Sequence, residues 1–106
     1  MRIFNIFSRK DINQGIKRFR ENEDAILLDV RTREEYASGH IEGSRNIPLD
    51  EIDRVDSIIT DKSTPLYVHC LSGGRSAQAA AYLKGKGYRE VHDIGGIGSY
   101  SGEIVV

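Results

Sequence analysis

The 106-residue sequence predicts an α/β domain: a central, mostly parallel sheet of about five strands flanked by helices on both faces. Short apolar runs alternate along the chain with segments of helical spacing, the pattern of strand–helix–strand units. The run over residues 25–30 lacks the alternation of a strand with one wet face, so it suits a strand covered on both sides. Pro48 and Pro65 both fall where turns are expected.

Taken in order, residues 3–7 are a candidate first strand. Ser8-Arg9-Lys10-Asp11 then reads as a capping box, and Ile12, Ile16 and Phe19 fall on one face of the helix after it. Residues 25–30, Ala-Ile-Leu-Leu-Asp-Val, form the next strand. Thr32-Arg33-Glu34-Glu35 is a second capping box, opening a short helix that Gly39 stops. Residues 44–47 give a brief strand ended by Pro48, after which Ile52, Val55 and Ile58 or Ile59 have helical spacing. Residues 61–65 have loop composition. Residues 66–69 form a strand with Cys70 directly at its carboxyl end. Ala77, Ala79, Ala80 and Ala81 then favour a helix over 76–84 that can approach a sheet closely, with Gly85 and Gly87 to stop it. A last strand over 90–94 runs into Gly95-Gly96.

Composition narrows the function classes. With 39% hydrophobic and 29% charged residues, the chain has the make-up of an ordinary soluble domain, expected to form one unit over residues 1–106. Fifteen basic residues face sixteen acidic ones, interspersed, so neither nucleic acid nor a membrane surface is expected as partner. The opening residues reach Arg9 and Lys10 before a signal-peptide core could build up, and no run approaches the ~20 apolar residues of a membrane span. A cytoplasmic monomer is the expectation. His40 and His92 lack a partner at metal-ligand spacing, so neither a metal nor a cofactor is expected. Tyr82, Tyr88 and Tyr100 read as packing residues.

The chemistry concentrates in Cys70-Leu71-Ser72-Gly73-Gly74-Arg75. This loop joins a strand to a helix at the carboxyl edge of the sheet, where open α/β sheets bind ligands. Gly73 and Gly74 allow successive backbone N–H groups to turn inward as an anion nest. The next helix aims its amino terminus at the same point, and Arg75 adds a cation. All three favour the thiolate of Cys70, the chain's one cysteine and its candidate nucleophile. His69 is adjacent but points to the opposite face of the strand, which makes it structural. Asp29 and Arg31 are expected to fix loops through ion pairs, Arg31 with Glu35. Gly95-Gly96-Ile97-Gly98 reads as a tight reversal.

These residues resemble the rhodanese family. The likeness lies in Leu27-Leu28-Asp29-Val30-Arg31 with Glu35-Tyr36, in residues 39–48 (Gly-His-Ile-Glu-Gly-Ser-Arg-Asn-Ile-Pro), in Tyr67-Val68-His69-Cys70 with Ser72-Gly73 and Arg75-Ser76, and in Gly95-Gly96. The resemblance implies a rhodanese-like fold and a sulfurtransferase that moves a sulfane sulfur from a donor such as thiosulfate to a thiol, cyanide or protein acceptor. Cys70 would carry the sulfur as a persulfide. Leu71, Ser72, Gly73, Gly74 and Arg75 would form the cradle, with Arg75 also orienting an anionic donor. Two positions depart from the family. Tyr100 stands where relatives often have tryptophan, and Leu71 stands where thiosulfate-using members often have a polar or basic residue. Two other readings use the same loop. One is a persulfide carrier or docking module. The other is a cysteine-dependent phosphatase or arsenate reductase, against which the four residues between Cys70 and Arg75 count, since the phosphatase loop has five.

Overall fold

The computed structural model describes residues 10–106. The candidate strand over residues 3–7 and the first half of the first capping box, Ser8-Arg9, lie outside that range. Helix α1 (Ile12–Arg20) opens instead on Asp11, whose carboxylate accepts from the amides of Asn13 and Gln14. The capping-box pattern puts Asp11 inside the helix; its side chain in fact caps the orphan amides of the first turn, which fixes the start there.

Strand β1 (Ile26–Asp29) leads into α2 (Arg33–Ala37). Thr32 and Glu35 close the expected capping box, each side chain serving the other's backbone amide. Strands β2 (His40–Ile41) and β3 (Ser44–Asn46) are followed by a 3-10 turn (Leu49–Arg54) that continues into α3 (Val55–Ile58). Strand β4 (Leu66–Cys70), helix α4 (Gly74–Gly85), strand β5 (Val91–Gly96), a 3-10 turn (Ile97–Ser99) and β6 (Ile104–Val105) complete the described chain.

The main sheet has the order β3-β1-β4-β5 with every pairing parallel, and β2 and β6 form a small antiparallel ribbon. Successive side chains of the buried strands pass to opposite faces. Leu28, Val30, Leu66, Val68 and Cys70 therefore pack with Val55, Ala79 and Leu83 on the side of α3 and α4. Leu27, Tyr67 and Ile94 pack with Ile12 and Ile16 on the side of α1. The sheet is thus covered on both faces, as its unalternating apolar run requires.

Two features set the placement of β5, the strand beside Cys70. The first is its register with β4, which shifts between Val68 and His69, so that Val68 pairs with Asp93 but His69 pairs with Gly95. Ile94 is the extra residue, and Gly95 takes φ +101, closed to most side chains. Asp93 and Ile94, as strand neighbours, point to opposite sides, Asp93 toward Ser76 and Ile94 toward Ile12 and Ile16.

The second is Gly15, in the middle of α1, where glycine costs helix stability. A Cβ there would stand 2.5 Å from Cβ of Ile94. Its absence lets the helix backbone lie against β5. We predict that Gly15→Ala destabilises the fold by about 1–3 kcal/mol through overpacking, despite the better helix propensity of alanine. Urea denaturation checks this; a midpoint equal to or above that of the parent contradicts it.

Candidate active site

Cys70 is the last residue of β4, in register with Gly96 of the neighbouring strand. Beyond it the chain turns through Leu71, Ser72 and Gly73 into α4. Gly73 adopts φ +113, a left-handed conformation that an L side chain would strain, and serves as the N-cap. Its amide donates to Cys70 Sγ at 3.0 Å. The Ser76 hydroxyl lies 3.5 Å from the sulfur.

Cys70 is only 1% exposed and belongs to the core on the α4 side. Burial pushes its thiol up. The Ser76 hydroxyl and the amides of Ser76, Gly73 and Ser72 outweigh burial and bring the thiol below its ordinary value. The result is a sulfur shielded from water yet prepared to carry negative charge.

The loop is held from behind by β5 and the turn after it. Gly98 donates its amide to Leu71 O at 3.0 Å. A Cβ on Gly96 would meet the Leu71 carbonyl and come within 2.6 Å of Ser72 Cα. Of the reversal expected over Gly95-Gly96-Ile97-Gly98, the turn itself begins at Ile97; Gly96 is the end of β5, and its lack of a side chain makes room for the loop.

The charges arrange themselves differently from the expectation. Arg31 does not pair with Glu35. Its guanidinium grips Asp29 through Nε and Nη2 at 2.8–3.1 Å and also donates to Gly39 O at 2.8 Å, because both side chains leave the same strand end. Asp29 is completely buried, and His69 Nε2 lies 3.4 Å from its Oδ2. Burial works against the Asp29 charge, but His69 and Arg31 beside it hold the carboxyl well below the usual carboxylate range. Asn46 ties down the same segment, donating to Asp29 O and Arg31 O at 2.9 Å each.

Glu35 takes Arg75 instead. The two make a bidentate pair at 2.7 and 3.0 Å, and the guanidinium beside it holds the Glu35 carboxyl at about 2. Arg75 thus clamps the start of α4 to α2. Its charge still acts on Cys70, but its hydrogen bonds are spent on a carboxylate. Leu71 is 46% exposed, Ser72 and Gly74 are exposed, and Gly73 and Arg75 are half-buried, so the loop that follows the buried cysteine lies at the surface. Asp93 left no signal in the sequence, while Ser76, Glu35 and Gly96 stood in the stretches that carry the family likeness but without a role at Cys70.

The profile of the rhodanese-like domain matches residues 13–103. The chain is 35% identical over 105 residues to the uncharacterized protein YqhL of Bacillus subtilis, an alignment covering 97% of this chain and 77% of that protein. It is 38% identical over 71 residues to the thiosulfate sulfurtransferase PspE of Escherichia coli, covering 66% of this chain and 68% of that one. Among solved structures, a rhodanese with anions from E. coli superposes with a TM-score of 0.70 at 34% identity, over 76% of this chain and 96% of that one. The rhodanese-like domain of Alr3790 from Anabaena superposes with a TM-score of 0.78 at 28% identity, over 92% of this chain and 77% of that one.

Gly96→Ala is predicted to displace residues 71–72 while the helices and sheet persist. Because the amide ring depends on that contact, iodoacetamide should modify Cys70 at neutral pH at least roughly tenfold more slowly than in the parent, with the far-ultraviolet circular dichroism unchanged. An unaltered rate would show that the Gly96 contact does not hold the ring.

Proposed function

The chain belongs to the rhodanese-like domain family and is a rhodanese-type sulfurtransferase, and from that premise we propose that it transfers sulfane sulfur through a persulfide on Cys70. The observation that carries this reading is the Gly73 amide donating to Cys70 Sγ at the start of α4, with the Ser76 hydroxyl beside it. Oxyanion-type stabilisation by preset N–H groups serves any negative atom held at that point. The attacking thiolate and the terminal sulfur of a persulfide are both such atoms.

The reaction runs in two displacements. The Cys70 thiolate attacks the outer, sulfane sulfur of the donor; a new S–S bond forms, the donor's own bond to that sulfur breaks, and its electron pair leaves with the remainder, as sulfite when the donor is thiosulfate. An acceptor nucleophile, a thiol, cyanide or a protein thiolate, then takes the terminal sulfur and returns Cys70 as thiolate. An external acceptor is required, since a chain with one cysteine cannot release the sulfur by forming its own disulfide. Leu71, Ser72, Gly73 and Gly74 form the floor and rim on which the transferred sulfur rests, and Arg75 supports them from its clamp on Glu35. A lone reactive thiol suits a reducing cytoplasmic setting. No helix among the described residues is long and apolar enough to cross a membrane.

Intact-mass measurement after incubation with thiosulfate tests the reading. The expected result is a gain of one sulfur atom, reversed by cyanide and absent in Cys70→Ser. Transfer that survives in Cys70→Ser would refute the persulfide.

A further inference from the structure

Ser76 is fully buried, and its hydroxyl sits among three oxygen acceptors and the sulfur of Cys70. It lies 2.8 Å from Asp93 Oδ1, 3.1 Å from Gly73 O, 3.4 Å from Gly95 O and 3.5 Å from Cys70 Sγ. A serine hydroxyl has one hydrogen to donate. The shortest of the four contacts is to a carboxylate, and charge-assisted hydrogen bonds are roughly twice as strong as neutral ones. While Cys70 is a thiol, the hydrogen therefore points to Asp93, and an oxygen lone pair faces the sulfur.

That orientation has opposite values for the two forms of Cys70. A thiol can donate its S–H to Ser76 Oγ. A thiolate gains the hydroxyl as donor only if the O–H rotates away from Asp93. We propose that Asp93 is a positioning residue for Cys70, competing for the Ser76 hydroxyl and so setting how far that group can stabilise the sulfur anion. The inference rests on the sulfurtransferase reading in one respect, that Cys70 is the reacting atom.

Asp93 pairs with Val68 just before the register shift in β5. Asp93 stays on the α4 side of the sheet, and its Oδ1 also accepts from the Gly95 amide at 3.2 Å, which fixes the carboxylate whichever way the hydroxyl points. The Asp93 side chain is 11% exposed, and Lys10 Nζ stands 4.0 Å from Oδ2. The remaining charges around the pair are Arg75, bound to Glu35 on the α4 side, and the buried Asp29–Arg31 pair with His69 across the sheet. On ionisation the thiol proton goes to solvent and the hydroxyl only turns, so no further proton carrier is involved.

The test is the pH dependence of Cys70 alkylation by iodoacetamide in the parent, Asp93→Asn, Ser76→Ala and the double variant. Asparagine keeps the shape but competes less for the hydroxyl. The midpoint in Asp93→Asn should fall by about one pH unit. In Ser76→Ala it should rise, and in the Ser76→Ala background the effect of Asp93→Asn should shrink to less than half. An equal fall in both backgrounds would mean that Asp93 acts on sulfur through space alone, and no fall when Asp93→Asn is made in the parent would mean that it does not act; either overturns the proposal. Ser76→Thr restores the hydroxyl and should restore the full effect of Asp93→Asn; a threonine background that behaves like alanine would also overturn it. Alkylation needs no turnover, so sulfur loading of the parent, read separately by mass, tells failure of this inference from failure of the sulfurtransferase reading.

Discussion

The Gly73 amide that donates to Cys70 Sγ creates a demand that the surrounding elements meet. An amide turned toward a side-chain sulfur is unavailable to the usual helix or strand ladder, so the chain must leave β4, reverse, and begin α4 within three residues. Gly73 makes that possible with a left-handed backbone. Gly96 makes it possible with an absent side chain, against which residues 71 and 72 lie. The helix then begins where the Gly73 amide meets the sulfur, and the loop's geometry and its electrostatics become one feature.

The charged residues near the site work chiefly by holding backbone in place. Arg75 locks α4 onto α2 through Glu35, and the capping box that orients Glu35 reaches back to Thr32. Arg31 and Asp29 brace the segment after β1, with Asn46 and the Gly39 carbonyl as further anchors. A guanidinium already committed to a carboxylate contributes field at the cysteine without competing for its sulfur. Exposed Leu71 leaves the rim of the loop apolar where a cation could have stood.

Much of this is legible in the sequence because it is local. The parallel sheet follows from an unalternating apolar run, the Thr32 box from four adjacent residues, and the Cys70 loop from glycines placed between a strand and a helix. What stays hidden depends on contacts across long sequence separations. Glu35 lies 40 residues from Arg75 and Asp93 lies 17 from Ser76, and no periodicity announces either partner. Gly15 is a flaw in an isolated helix and a fit only once Ile94 occupies the space above it. Glu35, four residues on from Arg31, takes Arg75, whereas Asp29, two residues back, holds Arg31.

The central claim is that the ring of donors favours negative sulfur despite its burial. Because Cys70 is the sole cysteine, ultraviolet titration of the thiolate, taken as the difference from Cys70→Ser, reports it without ambiguity. The account predicts a lower midpoint in the folded protein than in the same chain unfolded in urea. A folded midpoint equal to or above the unfolded one would mean that burial outweighs the donors, contradicting the account.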